Sequence, residues 1–224
     1  MVELALDTFK YVDCDTVNVE GRRVFCVPGD NYYPSITTVL GGTIEPEKKK
    51  ILDNWKARVG DKEAARISKA ATDRGTDTHL MLERLLRNED PQLETFPPDH
   101  VKMFKSLRLE AKKINKVYGQ EVVLYSHVLG IAGRCDLIAE YQGEIALVDY
   151  KTSRRVKSAD EIGYYWLQCV AYIIMHNEIF GTDIKKMVIM MGVENHLPMI
   201  FKREISDELI LKLIQRVNSF YQNL

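Results

Sequence analysis

Cysteine is scarce in this chain and shows no pattern. Cys14, Cys26, Cys135 and Cys169 are scattered with no C-x-x-C spacing, which argues against a zinc site and for reduced thiols in a cytosol-like compartment. Long apolar runs are also missing, and none approaches the ~20 residues of a membrane-crossing helix. The first twenty residues carry Glu3, Asp7, Asp13, Asp15 and Glu20, a composition unlike a signal or transit peptide. A cytoplasmic location with no membrane partner is the expectation. Neither G-x-G-x-x-G nor G-x-x-x-x-G-K-[ST] occurs, which excludes the usual dinucleotide and P-loop nucleotide enzymes. A dominant charge sign is absent too, since 31 Lys and Arg stand against 32 Asp and Glu for a net charge of −1. Nucleic-acid affinity comes largely from neutralised phosphates, so a nucleic-acid partner would need basic residues concentrated locally.

What is present suffices for a compact enzyme. With 224 residues, 46% of them hydrophobic, the chain can bury one sizeable core, and a single domain over 1–224 is expected. Residues 9–28 alternate and turn at Glu20-Gly21, which predicts a small hairpin. Helical patterns follow at 34–41, 47–58 and 62–88, then an acidic, proline-marked loop over 88–99 and a basic helical stretch near 99–117. Strands are expected near 120–128, 132–141 and 144–151, a long helix near 158–178, strands at 185–193 and 198–204, and a C-terminal helix from Ser206. Together these predict an α/β fold. It divides into an N-terminal hairpin and helices over 1–118, a core over 119–204 and a C-terminal helix over 205–224.

The stretch GRCDLIAEYQGEIALVDYKTS (133–153) says most about chemistry. It reads as two strands around a Gln142-Gly143 turn. Tyr141 then faces Glu144, Asp136 faces Asp149 and Arg134 faces Lys151. The two aspartates would stand with Cβ atoms ~5 Å apart, a destabilising arrangement unless a positive charge lies between them. Lys151 projects from the face of Asp149 because side chains alternate along a strand. A divalent cation is the natural partner for such a pair, although Asp149 and Lys151 taken alone also suit a surface ion pair.

An Asp followed across a hairpin by (D/E)-x-K resembles the PD-(D/E)xK nucleases, and most closely their RecB-like exonuclease branch. GRCD (133–136) and DYKTS (149–153) match that branch, including the hydroxyl residues Thr152 and Ser153. Gln168 and Tyr172 form its Q-x-x-x-Y element, and RGTDTH (74–79) matches the helix that delivers a metal-binding histidine, here His79, with Arg74 at its start. YPSITTVL (33–40) and NWK (54–56) further resemble mitochondrial and phage exonucleases of this type. The resemblance implies a restriction-endonuclease-like core, a mixed sheet flanked by helices, beneath an N-terminal hairpin and helical roof. It also implies Asp136, Asp149 and Lys151 as catalytic residues, and a metal held by His79, Asp136, Asp149 and the main-chain carbonyl of Tyr150. Such oxygen-rich sites suit Mg²⁺ or Mn²⁺. Some relatives hold an iron–sulfur cluster through cysteines near the C-terminus; none follows Cys169 here, so no cluster is expected.

Other residues carry two readings. Gln168 and Tyr172, with Tyr164, recur along one helix face, either as an ordinary amphipathic side or as a face that holds Lys151 or the scissile strand. Glu121 is either a carboxylate backing the site or a plain strand charge. Lys48–Lys50, the basic stretch near 99–117, and Arg154, Arg155 and Lys157 are either solvated faces or phosphate contacts. Ser35, Thr37 and Thr38 lie near a helix start suited to a phosphate. From the resemblance, the expected enzyme is a metal-dependent deoxyribonuclease. It would digest single-stranded DNA from a free end threaded under the roof, with roles in DNA repair or recombination, and Tyr32 or Tyr33 would stack unpaired bases. The alternatives are a structure-specific endonuclease on the same core and a non-catalytic DNA-binding relic.

Overall fold

A computed structural model of the chain describes residues 1–19 and 21–224. Six strands form one mixed sheet in the order β1-β5-β6-β7-β8-β9. They are β1 (Glu3–Leu4), β5 (Ile114–Ser126), β6 (Ile131–Tyr141), β7 (Glu144–Ser153), β8 (Lys186–Val193) and β9 (Met199–Glu204). β5, β6 and β7 are antiparallel neighbours, whereas β7 and β8 run parallel. A parallel pair needs a crossover, and α5 (Gly163–Phe180) supplies it. Ten of its residues are buried, including Gln168, Tyr172 and His176, as expected of a helix apolar on nearly every side.

α1 (Ile36–Gly42), α5 and α6 (Asp207–Gln222) cover one face of the sheet, while α3 (Asp61–Leu86) and α4 (Pro98–Ala111) cover the other. α2 (Pro46–Val59) has no buried residue. β2 (Thr16–Val19), β3 (Arg22–Val27) and β4 (Asn31–Pro34) make a separate three-stranded sheet.

The predicted order of elements is the observed one, with four differences. The N-terminal hairpin gains a third strand, and the stretch at 9–15 is not part of it; Glu20 of the expected turn lies outside the described residues. The basic helix stops at Ala111 because residues 114–117 belong to β5. β5 therefore begins before the expected core boundary. Finally, β1 pairs with β5, so the N-terminus completes the core sheet rather than standing apart from it.

The turn between β6 and β7 behaves as read. Gln142 and Gly143 have φ of 55° and 83°, the doubly left-handed pattern of a two-residue hairpin loop. Tyr141 pairs with Glu144 and Leu137 with Val148. The ladder ends there, one pair short of Asp136 and Asp149. This corrects the expected facing of those residues and of Arg134 with Lys151.

Candidate active site

The parting of β6 and β7 creates the site. Instead of a ladder bond, the Asp136 carboxylate accepts the Tyr150 backbone N–H at 2.7 Å. Its other oxygen lies 3.6 Å from Nδ1 of His79, which in turn is 3.9 Å from Oε1 of Glu121. His79 reaches in from α3, on the stripe whose Leu82 and Leu86 are buried. Its Nε2 sits 3.1 Å from the Tyr150 carbonyl. With a proton on Nε2, the imidazole is anchored to that carbonyl and its Nδ1 is turned toward the two carboxylates. Tyr150 is therefore at the site, where its carbonyl orients His79.

Glu121 departs furthest from the sequence reading. It is not at the start of a strand but in the middle of β5, flanked by the pairs Gln120–Leu137 and Val122–Cys135, which sets it beside Asp136. Its φ of 52° is uncommon for a side chain other than glycine or asparagine, and Arg134 Nη1 donates to its carbonyl at 2.6 Å. One ligand atom from each of His79, Glu121 and Asp136 lies within 4.8 Å of the others. An imidazole and two carboxylates in that space suit a divalent cation.

Asp149 is 1% exposed and Lys151 Nζ stands 2.5 Å from its Oδ2. This is a close ion pair, and the other carboxylate oxygen, Oδ1, has no hydrogen-bond partner. Buried carboxylates are rarely left so, and a cation is the group that would complete this one. Burial pushes Asp149 up to about 6, although the Lys151 charge pulls the other way. Burial alone would lower Lys151, but Asp149 and Asp136 outweigh it and hold the ammonium protonated. His79 is governed by the same contest: burial lowers it, while Asp136 and Glu121 lift it to about 9.

The remaining expected site residues separate into groups. Ser35, Thr37, Thr38, Gln168 and Tyr172 line a cleft of about 340 Å³ with Arg23, Gly133 and Arg134. Ser35 caps α1 through its hydroxyl, which takes the Thr38 N–H at 3.0 Å, and Gln168 donates to Tyr172. Gly133 permits this arrangement, since a Cβ there would lie 2.8 Å from the Tyr172 ring. Gly75 is less constrained, because its Cβ would meet Thr152 Oγ1 at an ordinary 3.9 Å. Ser153 is buried, and its hydroxyl both donates to and accepts from Arg155 backbone groups; it fits a cap of the bend after β7 better than a substrate contact. Arg74 is buried in α3 and Arg154 is exposed beyond β7. Arg155 is held by Glu161, Lys157 by Tyr165 and Tyr33 by His127, whereas Tyr32 is free and 56% exposed. Arg23 had no sequence signal at all. Glu121 had a faint one, as the only acid in β5.

Residues 99–189 match the profile of the PD-(D/E)XK nuclease superfamily. The matched stretch holds β6, β7 and the Asp136, Asp149 and Lys151 arrangement, so over these residues the chain is similar to the nucleases of that superfamily. Among curated proteins it is similar to mitochondrial genome maintenance exonuclease 1 of Mus musculus, 25% identical over 175 residues, and of Homo sapiens, 27% identical over 180. Each alignment covers 75% of this chain but 52% and 51% of the relative, so the chain spans about half the length of the curated relatives it matches. Among solved structures, an alkaline exonuclease from Laribacter hongkongensis is 14% identical with a TM-score of 0.46, over 85% of this chain and 87% of that one. Among the described residues, no helix is long and apolar enough to cross a membrane.

Proposed function

We propose that the chain is a divalent-metal-dependent exonuclease that hydrolyses phosphodiester bonds in single-stranded DNA from a free end. The observation that carries the metal dependence is the His79, Glu121 and Asp136 cluster, next to the buried Asp149 carboxylate whose Oδ1 has no hydrogen-bond partner. These four residues would hold Mg²⁺ or Mn²⁺, the imidazole favouring Mn²⁺. Such an ion, when bound, polarises the scissile phosphate and acidifies a water.

The chain's own groups do the rest. Lys151, held protonated, is a fixed positive charge that orients the attacking water and offsets the negative charge growing on phosphorus. In that state it is not a base. The water oxygen bonds to phosphorus and the sugar oxygen leaves with a proton, so no protein nucleophile is needed. Asp149 keeps the ammonium in place. Ser35, Thr37, Gln168 and Tyr172, joined by Arg23 and Arg134, would cradle the strand, while Arg74, Thr152 and Arg154 meet it on the far side of Lys151.

The single-strand preference rests on the unburied α2 and the exposed Tyr32. A helix with no buried residue can roof a passage too narrow for a duplex, and Tyr32 can stack an unpaired base. Incubation with Mn²⁺ tests this: linear single-stranded DNA should be digested, blunt duplex attacked weakly, and a covalently closed single-stranded circle left intact. If the circle is cut as fast as the linear form, the threading model fails and a structure-specific endonuclease takes its place.

A further inference from the structure

α3 contains a charge that the fold leaves unanswered. Arg74 is 7% exposed, its Nε has no hydrogen-bond partner, and its guanidinium forms no ion pair among the described residues. A charge buried without a partner is costly; here Nε is enclosed, while the terminal nitrogens are not, which leaves the guanidinium open to a partner from outside the chain. Burial holds Arg74 below the usual guanidinium range, and the nearby Arg154 charge pushes the same way. Two acids, Glu194 and Asp99, oppose this without pairing to Arg74. Arg154 has only a loose contact of its own, 4.0 Å to Glu194 with its side chain half exposed.

The location suggests the missing partner. Gly75, the next residue along α3, lies against Thr152 of β7, and Arg154 follows Thr152 by two residues. The two guanidiniums therefore gather at the end of the strand that carries Lys151, roughly 10 Å further along an extended chain. Guanidinium pairs match phosphate oxygens in geometry as well as charge.

We propose that Arg74 and Arg154 form a receptor for a non-scissile backbone phosphate of the substrate strand, separate from the cleft of Ser35 and Gln168. It rests on the nuclease reading above and adds to it a second point of attachment that fixes the strand's register over Lys151. The free protein carries Arg74 as a local instability that the phosphate relieves.

Arg74→Met tests this, because it keeps length and apolar contact but removes charge. Binding of a fluorescent oligothymidylate in EDTA should weaken roughly 10- to 100-fold, the usual effect of losing a charge-assisted contact. The slope of log affinity against log salt should become shallower by ~0.7, one single-strand phosphate contact. At the same time the free variant should melt higher than wild type. Arg154→Ala should reproduce the affinity and salt effects should Arg74→Met fail to fold. Unchanged affinity in both variants, or a lower melting temperature of Arg74→Met with wild-type affinity, would overturn the receptor. Wild-type cleavage with Mn²⁺ is scored separately: if it is absent the nuclease reading fails, whereas normal cleavage with unaltered variant binding defeats the receptor alone.

Discussion

Asp149 owes its character to burial, and that character is testable one residue at a time. A carboxylate with 1% exposure, paired with Lys151 through one oxygen and without a partner on the other, is stabilised only by Lys151 and whatever cation joins it. Mn²⁺ binding to the folded state should therefore stabilise the wild type, by ~2.7 kcal/mol at about 100 times Kd. For a chain of this size that is about 5–10 °C in Tm. Asp149→Asn should lose most of that gain in a thermal melt; an equal gain would remove Asp149 from the metal site. Glu121→Gln should lose part of it, which separates a ligand from a bystander. Lys151→Ala removes no ligand, so the Mn²⁺ shift should survive while kcat falls by ~10²–10³. Near-normal turnover in a folded Lys151→Ala would mean that the ammonium has no part in the reaction.

α5 shows how an element can carry two duties. Its Gln168 and Tyr172 turn toward the cleft of Ser35 and Gly133, and His176 further along is fully buried between Tyr11 and Thr182. Burial lowers His176 to about 4, below the ~6.5 of an unfolded chain. The group stays neutral in the fold, so its stability contribution is complete above about pH 6.5. It is lost as pH falls toward 4, at up to ~1.4 kcal/mol per unit. Chemical denaturation between about pH 7 and 5 should show the loss, and His176→Gln should flatten the slope. β6 makes its own demand at Gly133. Gly133→Ala should force Tyr172 aside and destabilise by ~1–3 kcal/mol, with cleavage reduced in parallel; a wild-type melt would show that the ring yields freely.

For the molecule as a whole, a net charge of −1 means that the proposed DNA strand would be held by a few placed cations rather than by a general field. Many basic residues are already engaged, among them Lys48 with Glu45, Lys113 with Glu110 and Lys116 with Glu3. Arg23, Arg134, Arg74 and Arg154 lie around the candidate site, Arg134 and Arg154 with an acid only at 3.6 and 4.0 Å. With about four phosphate contacts, the salt slope for a single strand should be near −3. A slope several units steeper in an equilibrium titration would point to a wider basic surface than the one described.

The sequence by itself determined the parts that depend on neighbours along the chain. The Gln142-Gly143 turn sets hairpin register through its own dihedrals, so Tyr141 with Glu144 and the shared face of Asp149 and Lys151 were legible, as were α5 and its Q-x-x-x-Y face. The match of four short elements in order was enough to indicate a nuclease. Only the tertiary structure decided what depends on distant chain segments meeting. The end of the β6–β7 ladder at Leu137 and Val148, the entry of His79 from the opposite face, the recruitment of Glu121 from β5 and the orphaned charge of Arg74 all arise where separate strands and helices converge. Local patterning specifies which residues are polar. Whether such a residue ends in water, in an ion pair or facing a vacant charge is set by burial, and burial is a property of the assembled fold.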